Sequence, residues 1–420
     1  MKTTTTTLFI FCFSMVFAQT EKVLFIGNSY TGYNNLAQLT SLVADGAGDT
    51  LIYDSHTPGG NTLQMHANNP LAIAKIYSVN WDHVVLQGQS QEPSFPLSQV
   101  QTQTFPFAKS LCDTVRANNA CTRPIFYMTW GRENGDASNC AAWPPVCTYQ
   151  GMDSLLYERY MMMGEDNEAY VSPVGAVWNY VRTNYPSWDL YTSDGSHPSQ
   201  LGSYLAALSF YTIIFEKSPM NSVYNYNFSQ DRADSARQVV EWVVYDSLPK
   251  WNVGAYDPMA SMIISLSNIY VGQPVVFGNN SDNATDFYWD FGEGNSSDSV
   301  VGVNTYTSAG FYTVTLIAEN CGKSDTLEIQ IEVFPIGIKE SNFFEALELT
   351  PNPSQGRFRI RGKNAEVLKE VRVYDLRGRE VGIWEPRATQ VEINIPERGQ
   401  YILWVRDDSN VVYKTAIQVL

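Results

Sequence analysis

Four short runs of aliphatic and β-branched residues, Val23–Ile26, Leu51–Tyr53, Val84–Leu86 and Ile125–Met128, are each separated from the next by a longer stretch of helical character. Apolar runs without polar alternation are strands buried on both faces. Strands that alternate with helices pair in parallel, because each helix carries the chain back across the sheet. Helices are expected at Asn35–Ala44, Leu63–Tyr77, Phe105–Asn118, Met152–Met163, Val174–Tyr185 and Ser199–Phe215. The expectation for residues 19–255 is an α/β domain, a parallel sheet with helices on both sides.

The pattern changes to all-β over residues 256–334. Pro274–Phe277, Phe287–Phe291 and Tyr312–Leu316 run or alternate apolar between Asn, Asp and Gly turns, as in a small sandwich. The pieces Tyr288-Trp289-Asp290-Phe291-Gly292-Glu293-Gly294 and Tyr306 to Val314 resemble PKD domains, an Ig-like family that implies a spacer or contact module. A linker is expected at 335–346, then a second small β-sandwich over 347–420. In that last stretch Leu349-Thr350-Pro351-Asn352-Pro353, Gly356-Arg357-Phe358, Val371 to Arg379 and Gly399-Gln400-Tyr401-Ile402 follow in order. Together they resemble the C-terminal sorting domain of the type IX secretion system, which implies that system's machinery as a partner and passage across the outer membrane.

Location is legible at the other end. Met1-Lys2, the apolar run Leu8–Phe17 and Val16-Phe17-Ala18 read as a signal peptide over 1–18, too short to span a bilayer. A secreted or outer-surface protein is expected, without membrane insertion. The net charge is -16 and no Lys/Arg-rich run occurs, which argues against nucleic acid as a partner. With 44% apolar and 17% charged residues, the chain has material for packed cores.

Export permits disulfides. Cys112, Cys121, Cys140 and Cys147 lie in one stretch of the first domain, and four cysteines allow three pairings. Cys140 with Cys147 and Cys112 with Cys121 needs the least chain closure, leaving Cys321 alone in a different module. Zinc is the rival reading, but no histidine accompanies these cysteines. No metal or cofactor is expected.

Ester hydrolysis by a serine needs a hydroxyl, a neutral imidazole, a carboxylate to orient it and donors for the oxyanion. Gly27-Asn28-Ser29 follows the first strand and precedes the first helix, which puts Ser29 at the sheet edge where α/β folds bind ligands. A serine there is, by itself, an ordinary turn residue. Of the four histidines, His83 begins a strand, His56 ends one and His66 lies early in a helix after Gly59-Gly60. His197 lies in Asp194-Gly195-Ser196-His197-Pro198, where Asp194 can accept Nδ1–H and leave Nε2 as the base. The bland reading makes Asp194 or Ser199 a helix cap beside a surface histidine.

These blocks resemble the SGNH/GDSL hydrolase superfamily, over about Glu21–Phe215. The resemblance implies a flavodoxin-like three-layer α/β/α sandwich with Ser29 as nucleophile, His197 as base and Asp194 as orienting acid. It also implies oxyanion donors: the N–H of Ser29, the N–H of Gly60 or Gly59, and a third-block side-chain amide, Gln89 or alternatively Gln87. Two departures stand out. Gly-Asn-Ser replaces the commoner Gly-Asp-Ser, and Gln87-Gly88-Gln89-Ser90-Gln91 replaces Gly-x-Asn. Some carbohydrate-directed branches have a similar Gln-Gly-x-Ser block. Tyr30, Tyr33, Trp130 and Trp143 fall in positions from which aromatic faces can stack on sugar rings; Tyr30 and Trp130 are the expected substrate contacts. The expected activity is a secreted serine esterase cleaving acyl, chiefly acetyl, esters on carbohydrate or another small acyl ester. The alternative is a non-catalytic surface protein that binds glycans or adheres.

Overall fold

Every residue of Val23–Ile26 and of Val84–Leu86 is 0% exposed, so both faces of these strands are covered. In the computed structural model, which describes residues 18–266, 269–335, 340–363 and 366–420, they lie inside a fully parallel sheet. The signal peptide falls almost wholly outside the described residues, as does part of the expected linker. The first compact unit runs to Asp257 and includes Cys321–Lys323; the second takes in Pro258–Asn320 and Ser324–Leu420.

The first unit's sheet consists of β1 (Thr20–Ile26), β2 (Thr50–His56), β3 (His83–Leu86), β4 (Arg123–Tyr127) and β5 (Tyr170–Ser172). Their spatial order, β2-β1-β3-β4-β5, is the flavodoxin-like one. After β1 the chain turns to one side to form β2, then crosses β1 to form β3 on the other. This reversal opens a crevice beyond the carboxyl ends of β1 and β3. Ser29 follows the first of these strands and Gln87 the second. β5 is an addition to the sequence reading, because three residues are too few to show a pattern.

Helices cover the sheet. Gln200–Phe215 is buried from Leu201 to Phe215, as expected of a helix that is apolar all round, and Ser199 caps it by accepting from Gly202 N at 3.1 Å. The single helix expected at Leu63–Tyr77 is two, Leu63–Ala67 and Pro70–Ile76. Pro70 has no N–H to continue a helix but suits the first turn of a new one, and Asn69 caps that turn by accepting from Leu71 N at 2.9 Å.

The disulfides differ in part from expectation. Cys140–Cys147 is formed, but Cys121 bonds to Cys321, and Cys112 is free and buried. Cys112 shares the inward face of Phe105–Asn118 with Ala108, Leu111 and Val115, so its thiol points into the core. Helix facing overrode the short spacing to Cys121; closure entropy varies only slowly with loop length.

Among the described residues of the second unit, each β module pairs a five-stranded with a three-stranded sheet. Val275 and Phe277 of one sheet meet Trp289, Val314 and Leu316 of the other in the first module's core. In the second module, Phe358, Ile360 and Ile393 meet Val371, Val373, Leu403 and Val405. Alternating burial along Arg357–Gly362 and Gly399–Asp407 is the period of half-buried strands.

Candidate active site

The turn after β1 is built to hold one hydroxyl outward. Gly27 N donates to His56 O at 3.0 Å, tying the turn to the end of β2. A Cβ on Gly27 would stand 2.2 Å from Thr31 Oγ1 and 2.7 Å from Gln87 Oε1, so only glycine fits. Asn28 caps the short helix Ser29–Gly32, its Oδ1 accepting from Tyr30 N at 3.0 Å. Its Nδ2 donates to Asn61 O at 3.2 Å and Gly88 O at 3.0 Å, joining the three loops of the crevice. An aspartate would set a carboxylate against those two carbonyls, which accounts for Asn in place of the commoner Asp.

The second loop is Thr192–Ser199. Gly195 adopts φ +66, and Thr192 N donates to His197 O at 2.8 Å, closing the turn. Asp194 Oδ1 accepts from Ser196 N at 2.8 Å, His197 N at 2.9 Å and Thr192 Oγ1 at 2.8 Å. Its Oδ2 lies 2.5 Å from His197 Nδ1, and His197 Nε2 lies 2.8 Å from Ser29 Oγ. Burial pushes the Asp194 carboxyl up. The hydrogen bonds from the His197 side chain, the His197 and Ser196 amides and Thr192 outweigh it and hold the group well below the usual carboxylate range.

Aromatic rings support both loops. Tyr30 stacks on Trp130 at 4.9 Å, Trp130 stacks on Trp178 at 3.7 Å, and Tyr30 presents its edge to His197 at 5.3 Å. Tyr30 OH and Ser196 Oγ are 2.6 Å apart, and Trp130 Nε1 donates to Ser196 O at 3.1 Å. Tyr30 is 3% and Trp130 0% exposed. Their faces are spent on each other and on Trp178, so the expectation that they contact substrate is corrected: they buttress the histidine loop.

The oxyanion candidates separate. Gly59 and Gly60 have open space where a Cβ would stand, and Gly60 adopts φ +71. Gln87 is 0% exposed, with Oε1 accepting from Asn28 N and Thr31 Oγ1, each at 2.9 Å, and Nε2 turned to Gly88 O. It braces the turn from below, which overturns its place as second choice for the third donor. Gln89 lies half-buried, its Nε2 donating to Gln91 Oε1 and its Oε1 accepting from Gln91 N at 2.6 Å. One amide hydrogen of Gln89 remains for an oxyanion.

The other histidines do not join this line, although His56 and His66 lie together beside the Gly27 turn. His83 is at the opposite end of β3 from Gln87, 3.5 Å from Glu21. His66 is 0% exposed, and burial with the neighbouring His56 lowers its pKa to about 4. Among the described residues, no group of three or more His, Cys, Asp or Glu side chains is placed to hold a metal ion. Sequence reasoning missed Asn34 and Asn61; the run Tyr33-Asn34-Asn35, two asparagines that tolerate left-handed backbone, was the available signal.

Residues 256–333 match the PKD domain family, and residues 348–418 match the secretion system C-terminal sorting domain. The last two modules are a PKD domain and a secretion sorting domain. The sorting domain assigns the protein to export, to the outer cell surface or the exterior, and implies contact with a secretion machinery. Among the described residues no helix is long and apolar enough to cross a membrane. No curated protein matches the chain. A DUF4886 family protein from Bacteroides uniformis is similar in structure at 16% identity and TM-score 0.45, covering 55% of this chain and 95% of its own. A protein from Slackia heliotrinireducens assigned to the SGNH hydrolases is 25% identical at TM-score 0.38, covering 46% and 97%. The PKD domain is similar to the PKD1 domain of the Vibrio cholerae metalloprotease PrtV, at 31% identity and TM-score 0.17, covering 19% and 98%.

Proposed function

We propose that the first unit is a serine ester hydrolase that removes acyl groups, chiefly acetyl, from carbohydrate. The observation that carries this reading is the unbroken line from Asp194 Oδ2 through His197 to Ser29 Oγ, with contacts of 2.5 and 2.8 Å.

In this reading His197 Nε2 takes the Ser29 proton as Oγ attacks the acyl carbon. The carbonyl oxygen becomes an oxyanion facing the N–H groups of Ser29 and Gly60 and the amide of Gln89. The imidazolium, oriented by the ionised Asp194, returns the proton to the leaving alkoxide. Water then repeats the sequence on the acyl-serine, releasing the acid and restoring Ser29. The carbohydrate preference rests on the Gln87-Gly88-Gln89-Ser90 block and on export beside a PKD domain.

The test is acetate release from acetylated xylan, pectin and sialate fragments, set against short and long p-nitrophenyl esters. Ser29→Ala abolishes release while unfolding at the wild-type temperature. The adhesion reading, favoured by the PKD domain alone, predicts glycan binding that is indifferent to Ser29→Ala and no release from any ester.

A further inference from the structure

Beside the proposed triad a second element grips the same imidazole. The Tyr33 ring lies over His197 with centroids 4.3 Å apart and planes 18° from parallel. Tyr33 itself is 40% exposed, so one side of the ring meets solvent while the other covers the imidazole. The backbone bends sharply to put it there. Asn34 adopts φ 54 and Asn35 φ 50, two successive left-handed residues without a glycine. Asn34 Nδ2 stands within reach of Pro198 O at 3.3 Å, Ser199 O at 3.2 Å and Ser203 Oγ at 2.9 Å. The kinked segment is thereby fastened to the loop that carries His197.

We infer that Tyr33 is a positioning residue for His197, clasped onto it by Asn34, and not the sugar platform its sequence context allows. The proposal rests on the esterase reading and deepens it. Asp194 fixes the imidazole at Nδ1 but leaves rotation about that contact free. Tyr30 meets the ring edge-on and Tyr33 covers its face, so these two rings and Asp194 together leave one orientation, with Nε2 on Ser29. The same aromatic face attracts the imidazolium formed when the Ser29 proton is taken, so its effect falls on the step that forms the cation. The ring does this work and the hydroxyl does not, so phenylalanine suffices.

The test uses the full chain with Tyr33→Leu, Tyr33→Phe and Asn34→Gly; glycine keeps the left-handed backbone and removes only the side chain. With an acetyl ester, Tyr33→Leu and Asn34→Gly lower kcat roughly tenfold with KM little changed, whereas Tyr33→Phe retains wild-type kcat. In NMR spectra, assigned with a His197→Gln variant, the His197 ring protons are shielded by Tyr33. They move downfield in Tyr33→Leu and stay in place in Tyr33→Phe. A change in KM alone, failure of Tyr33→Phe to rescue, or unmoved His197 resonances overturns the proposal. Wild-type protein without Ser29-dependent turnover overturns the esterase reading along with it; turnover equal in wild type and Tyr33→Leu overturns the clasp alone.

Discussion

Gln87 Oε1 accepts the backbone N–H of Asn28 at 2.9 Å, joining the ends of β3 and β1 beneath the proposed nucleophile. The same oxygen accepts the Thr31 hydroxyl at 2.9 Å, and Gln87 is wholly buried. Gln87→Leu leaves the buried Asn28 N–H without a partner, a loss of about 1–3 kcal/mol. Urea unfolding is expected to show that destabilisation, together with reduced kcat, since the Ser29 turn loses its brace.

Asp194 is held ionised by four hydrogen bonds through three neighbours, so its carboxylate persists far into acid. Because its folded pKa is lowered, the stability it contributes is present above the unfolded value and lost only as pH falls through the folded one. Loss of activity on acidification therefore does not report protonation of Asp194. The acid side of the kcat/KM profile should fall tenfold per pH unit, as for one proton; a fall of a hundredfold per unit contradicts this. Asp194→Asn, which offers the wrong partner to Nδ1–H, should cost about 10²–10⁴-fold in kcat at neutral pH.

Glu92 bears a different relation to pH. Burial pushes its carboxyl up to about 7, and Oε2 is enclosed with no hydrogen-bond partner. Below about pH 4.5 the carboxyl is protonated in both folded and unfolded chains, and pH has no effect through it. Between there and about 7 only the unfolded chain ionises, so stability falls as pH rises, then levels off. Glu92→Gln should match wild type at pH 4.5 and exceed it by about 1–3 kcal/mol at pH 8, measured by denaturant unfolding.

Thiol chemistry checks the cross-links. Under native conditions, alkylation should leave Cys112 unmodified, because it is 0% exposed and burial pushes its thiol up to about 12. Mass spectrometry of a non-reduced digest should find Cys121 joined to Cys321 and Cys140 to Cys147. A Cys112–Cys121 peptide would contradict the fold around Phe105–Asn118.

Much of this was legible in the chain. Val23–Ile26 and Val84–Leu86 announce strands covered on both faces, and Asp194-Gly195-Ser196-His197 has the spacing to fold a carboxylate back onto an imidazole. Other features are three-dimensional and leave no local mark. Whether Gln87 or Gln89 faces the crevice depends on strand phase: Gln87 is drawn under the turn by two donors from the β1 side. Tyr30 and Trp130 sit where loop aromatics often meet ligands, but packing against Trp178 hides both. The break at Asn69-Pro70 was written in the sequence, since proline cannot extend a helix, and helical periodicity on both sides masked it.

The most direct test is covalent labelling by a serine-directed organophosphonate, read as intact mass and mapped by peptide. The account predicts a single adduct on Ser29, formed at least a hundredfold more slowly in His197→Gln and absent in Ser29→Ala. An unlabelled protein, or an adduct elsewhere that persists in Ser29→Ala, would contradict it.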